Sequence, residues 1–300
     1  RSWAANTSMM TTAASLIGEP MQPATLPHTE LAPGVAVGSP APAGWAAVTD
    51  CPLLIIVGVT GVGKSTTLDA LTHQSFAHTL LPNRRDLTDR LMIATLQAED
   101  GDPIAPVTDR QQRFAYTRRY RQRHPGGMSH ALTQLWVDPR QAAGWLVFDG
   151  LRGENEVTHA AAMLPHAYFV ALHAPDGVRV RRLLGRNDAF DQIAAAPVTG
   201  AQGEPDGFAA LGLPEAEAIL SAEEAAGLWA LVAQGAISAG DLRARLQIVL
   251  EERRNYDPQA TIAALQREAA ARMLVIDTSR VKPKRVAAQI VEQARAWGLP

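Results

Sequence analysis

Leu53-Leu54-Ile55-Ile56-Val57-Gly58-Val59-Thr60-Gly61-Val62-Gly63-Lys64-Ser65-Thr66 joins five consecutive apolar residues to a glycine-rich turn and then to a helix-forming run. An unbroken apolar run of this length reads as a strand buried on both faces. The turn matches G-x-x-x-x-G-K-[ST] between a strand and a helix. In that setting glycines let backbone N–H groups turn inward around a phosphate, and the helix N-terminus adds its positive end. Gly58, Thr60, Gly61, Val62, Gly63, Lys64, Ser65 and Thr66 are therefore the expected binding residues for a nucleotide, with ATP and Mg²⁺ as cofactors. Lys64 is expected to reach the β- and γ-phosphates, and the Ser65 hydroxyl to ligate Mg²⁺. A glycine-rich turn with no ligand would have no need of this lysine. Of 28 basic residues only Lys64, Lys282 and Lys284 are lysines and all the others are arginines, so position 64 calls for a compact ammonium that a guanidinium fork does not replace.

Further apolar runs at 145–148, 168–172 and 273–276, with a weaker one at 77–81, read as strands. Helical patterns at 64–74, 109–123, 154–164, 176–186 and 283–297 lie between and after them. Such alternation argues for an α/β fold whose parallel sheet is covered on both faces. Residues 1–50 hold four charges and six prolines in an Ala-, Thr- and Ser-rich background, the composition of a linker or loosely draped arm. Residues 194–207 are rich in Ala, Gly and Pro, whereas 214–234 and 238–255 look helical. The expected organisation is an arm at 1–50, a core at 51–190, a helical insertion at 191–272 and the core's last strand and helix at 273–300.

Composition excludes several classes. The chain of 300 residues is 47% hydrophobic with a net charge of −2. No stretch approaches the ~20 apolar residues of a membrane span. The neutral balance disfavours a dedicated nucleic-acid binder, although a local basic patch keeps nucleic acid open as a partner. A lone cysteine, Cys51, forms no intramolecular disulfide, and residues 1–50 lack a secretory signal's basic start and apolar core, so a cytoplasmic setting is expected. Scattered histidines give no zinc pattern, and no G-x-S-x-G elbow is present.

Asp149 follows the run Trp145-Leu146-Val147-Phe148, which would set its carboxylate at a strand's end beside the glycine-rich loop, ready for Mg²⁺. Arg152, three residues on, is expected to contact substrate, while Glu156 could merely decorate a helix start. Arg179, Arg182 and Arg186 share a helix face and suit a charge-spreading phosphoryl group; a solvated face is the alternative. Between Arg110 and Arg123 six arginines interleave with Phe114, Tyr116 and Tyr120, from which Arg113 and Arg119 are expected to help hold a second, anionic substrate; an exposed basic helix is the alternative. Arg84 and Arg85 are further candidates for that task. A signalling GTPase would carry Gly where Arg152 stands and an Asn-Lys-x-Asp reader, which is absent.

Residues 58–66, Val147-Phe148-Asp149-Gly150-Leu151-Arg152-Gly153-Glu154-Asn155-Glu156-Val157, Phe169-Val170-Ala171-Leu172 with Arg179-x-x-Arg182-x-x-x-Arg186, and Val275-Ile276-Asp277-Thr278 resemble the adenylate-kinase-like small kinases of the P-loop NTPase type. Within these they are most similar to the dephospho-CoA-kinase-related branch found in archaea. The resemblance spans 51–190 and 273–300. It implies a five-stranded parallel sheet ordered 2-3-1-4-5 and a mobile lid carrying Arg179, Arg182 and Arg186. The insertion before the last strand and the Pro-rich arm depart from that pattern. The reading is an ATP- and Mg²⁺-dependent phosphotransferase acting on a nucleotide-like or other phosphorylated small acceptor. Lys64 and Arg182 would stabilise the transferring group, Ser65 and Asp149 would hold Mg²⁺, and Arg152 with Arg113 or Arg119 would position the acceptor. The alternative is an ATPase acting as a regulatory switch for a protein or nucleic-acid partner.

Overall fold

The computed structural model describes residues 26–74, 76–185 and 207–298. Strands β1 (Thr29–Ala32), β2 (Val35–Val37) and β3 (Ala46–Ala47) come first, followed by β4 (Leu53–Val57), α1 (Lys64–His73) and β5 (His78–Leu80). Next are α2 (Arg84–Leu87), a π-helical turn over Thr88–Ile93, α3 (Ala94–Asp100), α4 (Arg110–Arg123), α5 (Met128–Thr133) and β6 (Trp136–Val137). Then β7 (Trp145–Leu151), α6 (Glu154–Met163), β8 (Ala167–His173) and α7 (Asp176–Leu184) alternate. Beyond two 3₁₀ turns lie α8 (Ala222–Ala233), α9 (Ala239–Asn255), α10 (Pro258–Glu268), β9 (Met273–Asp277) and α11 (Pro283–Ala296).

A parallel sheet runs β5-β7-β4-β8-β9. Because strand side chains alternate, β4 feeds two cores. Leu53, Ile55 and Val57 pack with Phe148 and Phe169 on the side covered by α5, α6 and α10. Leu54 and Ile56 pack with Val147 and Val170 beneath α1 and α11, joined by Leu71, Val286 and Ile290. Local signals set the helix starts: the Asp109 carboxylate accepts from the Gln112 N–H at 2.7 Å before α4, and capping boxes open α8 (Ser221 with Glu224) and α9 (Ser238 with Asp241). Pro258 and Pro283 stand in the first turns of α10 and α11, where a missing N–H costs nothing.

Three features differ from the sequence reading. Residues 29–47 are not a draped arm: β1, β2 and β3 join β6 in an antiparallel sheet ordered β1-β2-β6-β3, with Val35, Ala36 and Val37 buried. Guanidinium donors of Arg90 bind the carbonyls of Leu31 (2.6 Å) and Glu30, fastening this sheet to the helical layer. Boundaries at 190 and 272 cut across packing. Val180 and Leu183 of α7 belong to a third cluster with Phe208, Leu228, Leu242 and Val249, whereas Ala264 and Leu265 of α10 lie in the core beside α6. Strand β7 does not stop at Asp149. A register shift sets Ile55 opposite Phe148 and Val57 opposite Leu151, so Asp149 and Gly150 form a bulge inside the strand. No helix among the described residues is long and apolar enough to cross a membrane.

Candidate functional site

The turn after β4 closes on the sheet's carboxyl edge. The Gly58 N–H donates to Leu151 O at 3.0 Å, and a Cβ on Gly58 would lie 2.7 Å from Leu172 O, so only glycine fits between β7 and β8. Gly63, with φ +96°, starts α1 from a left-handed conformation that a side chain would strain. The Lys64 ammonium folds back along the turn and donates to Gly58 O (2.8 Å) and Val59 O (3.1 Å). Burial, reinforced by repulsion from Arg152 and offset in part by Asp149 and Glu252, pulls its pKa down to about 7.

Thr60 meets a residue that sequence reasoning missed. Its N–H lies 3.1 and 3.0 Å from the two carboxylate oxygens of Glu252, and its hydroxyl donates to Oε1 at 2.5 Å. Glu252 projects from α9 and also accepts from Arg152 Nη1 (2.8 Å) and Arg179 Nη2. Arg179 is anchored in place. It is 1% exposed, donates from Nε to Thr60 O at 2.8 Å and from Nη1 to Asp176 at 2.7 Å, and α7 is packed against α8 and α9. Arg182 reaches Gly61 O (3.2 Å), the Thr278 hydroxyl (2.9 Å) and Thr278 O (2.7 Å). The loop is thus braced from outside by α7 and by the turn after β9. Arg186 lies outside the described residues.

Two clefts flank the turn. The first, about 300 Å³, is lined by Gly63, Thr66, Arg182, Thr278, Val281 and Pro283, an apolar slot with a polar rim next to the start of α1. The second, about 320 Å³, gathers the guanidinium groups of Arg84, Arg85, Arg113, Arg121 and Arg152 around Phe114 and Tyr256. Arg113 stands in this second cleft and pairs with Asp89. Arg119 does not: it is half-exposed and pairs with Asp100 of α3, because its place on α4 turns it toward that helix. Glu156 is no helix decoration. It is 1% exposed and takes Arg84 in a two-pronged pair at 2.9 and 2.7 Å. Burial opposes both charges, and the pair outweighs it, raising the Arg84 pKa and lowering that of Glu156. Tyr256 adds its hydroxyl at 3.1 Å from Arg84.

Among the described residues no cluster of three or more His, Cys, Asp or Glu side chains is poised for a metal. A magnesium ion needs no such cage, since it keeps several waters and takes most other oxygens from bound phosphates. Ser65, exposed in the first turn of α1, and Asp149, the one partly exposed residue of β7, carry hard oxygen donors of the kind that ion takes. Asp149, Arg152, Arg179 and Glu252 all lie within electrostatic reach of Lys64. Nothing local in the sequence marks Glu252, which is 192 residues from its partner Thr60. No protein-family model matches the chain, and no curated protein matches it significantly.

Proposed function

We propose that the protein is an ATP- and Mg²⁺-dependent phosphotransferase of the P-loop kinase type. One observation carries the reading: a glycine turn with a single lysine is set between a buried parallel strand and a helix N-terminus, and is bridged through Glu252 to Arg152 of a separate cleft lined by five arginines. Numbered from β4, the sheet runs 2-3-1-4-5, which supports the same fold type. Backbone N–H groups and Lys64 would bind the triphosphate, and the slot beside Thr66 and Pro283 would take the base. Arg113, Arg121 and Arg152 would hold a phosphorylated acceptor across from it. Mg²⁺ at Ser65 and Asp149 would neutralise charge on the β- and γ-oxygens. The acceptor oxygen bonds to the γ-phosphorus while the bond to the bridging oxygen breaks. ADP leaves with that electron pair, and a hydroxyl acceptor would release its proton to solvent. Catalysis of this kind is positioning and charge stabilisation, which the arginines provide.

Incubation with γ-labelled ATP, Mg²⁺ and a panel of nucleoside monophosphates, dephospho-CoA and short oligonucleotides tests the assignment. Label is expected on one small acceptor. Label released only as inorganic phosphate would favour the switch ATPase, a reading helped by the reach of α9 into the loop.

The lowered pKa of Lys64 gives a pH dependence. Phosphates beside Nζ favour the charged form, so above pH 7 the free protein must take up a proton to bind ATP. Affinity is expected to be nearly level below pH 7 and to weaken by up to about tenfold per pH unit above it. ATP titrations between pH 6 and 9 measure this, and a flat profile would show that Lys64 keeps its charge in the free protein up to pH 9.

A further inference from the structure

We infer that Glu252 holds the donors that a γ-phosphate requires, so that binding of a nucleoside triphosphate and the seating of the α9 carboxylate exclude each other. The inference rests on the nucleotide reading above and adds a residue that discriminates triphosphate from diphosphate.

A carboxylate and a terminal phosphate ask for the same partners: backbone N–H, hydroxyl and guanidinium donors. Glu252 takes all three kinds, with two guanidinium groups among them. Its Oε1 accepts from the Thr60 hydroxyl (2.5 Å) and from Arg152 Nη1 (2.8 Å), while Oε2 accepts from the Thr60 N–H (3.0 Å) and from Arg179. Thr60 is the third residue of the glycine turn, and Glu252 bridges it to Arg152, which lines the arginine-rich cleft. Lys64 lies close enough for both guanidinium groups to depress its pKa, so Glu252 supplies charge balance to a cationic cage. A second anion on the same donors would meet a buried carboxylate, 7% exposed, at like charge.

A separate observation points to a larger acceptor at this place. Arg152 Nε is buried with no acceptor among the described residues. A phosphoryl group, with three oxygens where the carboxylate has two, can take that donor as well as those Glu252 holds. A diphosphate leaves Glu252 seated, because its β-phosphate is gripped by Lys64 and the α1 N-terminus. A triphosphate must unseat it, and with it the last turn of α9, whose earlier turns are fixed in the third cluster through Leu242, Leu246 and Val249.

The test compares ATP and ADP titrations of the full chain with those of Glu252→Gln, which keeps the side chain's size and removes its charge. ATP affinity is expected to rise by about tenfold or more and ADP affinity to stay within about twofold. Hydrogen exchange on the unaltered chain gives an independent readout should the variant fold poorly: ATP, unlike ADP, is expected to speed exchange over residues 251–255. An unchanged ATP-to-ADP ratio, a weaker grip on ATP in the variant, or exchange over 251–255 that ATP leaves the same would overturn the inference while leaving the nucleotide reading intact. Failure of both proteins to bind either nucleotide would overturn both.

Discussion

Replacing Lys64 by alanine is expected to lower ATP binding and phosphoryl transfer by about 10²–10³-fold or more, the loss seen when one charge-stabilising donor leaves a buried site, without lowering the melting temperature. Both halves follow from the same geometry. The ammonium stands within 2.8–3.1 Å of two carbonyls of the glycine turn, where arriving phosphates would replace those weak acceptors with charged ones. In the folded chain its charge is disfavoured, since burial and Arg152 bring its pKa from 10.5 to about 7. Below pH 7 the lysine is charged in the folded and the unfolded chain, and the folded state bears the full cost of the buried charge. That cost falls away as pH rises from 7 to 10.5, where only the unfolded chain still carries the proton. Alanine removes the cost, so at neutral or lower pH the variant should melt at the same temperature or higher. The two stranded carbonyls offset part of the gain. Lys64→Arg is expected to lose transfer as well, because a planar fork does not fit a turn closed by Gly58 and Gly63. Calorimetry of both variants with and without ATP checks the pair of expectations. Retention of ATP affinity within about threefold in Lys64→Ala would end the assignment of this turn to phosphate.

The parts of this site that are legible in the sequence are those built by neighbours in the chain. The run 53–66 announces strand, turn and helix because its apolar residues, its glycines and its lysine are contiguous. Asp109 announces α4 because a cap acts over three residues. Glu252 is illegible for the opposite reason. It stands in Glu251-Glu252-Arg253-Arg254, a charge run that looks like a solvated helix face, and its partner Thr60 is in another element. Glu156 is similar: an acid in a helix's first turn is ordinary until Arg84, 72 residues upstream, is found against it. Arg179 and Arg182 do share a face of α7, yet spacing is silent on what that face meets. For Arg179 and Arg182 it meets loop carbonyls, Thr278 and Glu252. Strands β1 to β3 escaped because three apolar residues, Val35-Ala36-Val37, between glycines and prolines carry no periodic signal. The strand β6 that pairs with β2 and β3 follows about 100 residues after β2, and that non-local pairing is what builds the β1–β2 hairpin and β3 into one sheet.

That pairing sets the other large expected effect. A chain beginning at Pro52 should fail to fold cooperatively, where a linker's removal would be silent. Leu31, Val35, Val37 and Val48 are each no more than 9% exposed and join the core that holds Leu53, Ile55 and Phe148. At about 1.5–3 kcal/mol for each buried side chain, their loss removes about 6–12 kcal/mol. A whole domain is stable by only about 5–15 kcal/mol. Even discounted for residual burial in the unfolded chain, the deficit is comparable to the total. Polar groups are stranded at the same time. Leu135 O loses the Val48 N–H at 3.0 Å, the Asp138 N–H loses Gly34 O at 2.8 Å, Arg90 loses both its carbonyls, and β6 is left without β2 and β3 on its two edges. A single substitution separates this account from an effect of chain length. Val37→Asp puts an unpaired carboxylate at a position 1% exposed in the middle of that sheet, which should cost several kcal/mol and lower the melting temperature by many degrees. Thermal melts of the shortened chain and of Val37→Asp decide the matter, and a midpoint within a few degrees of the full chain in both would return residues 29–50 to the status of an arm.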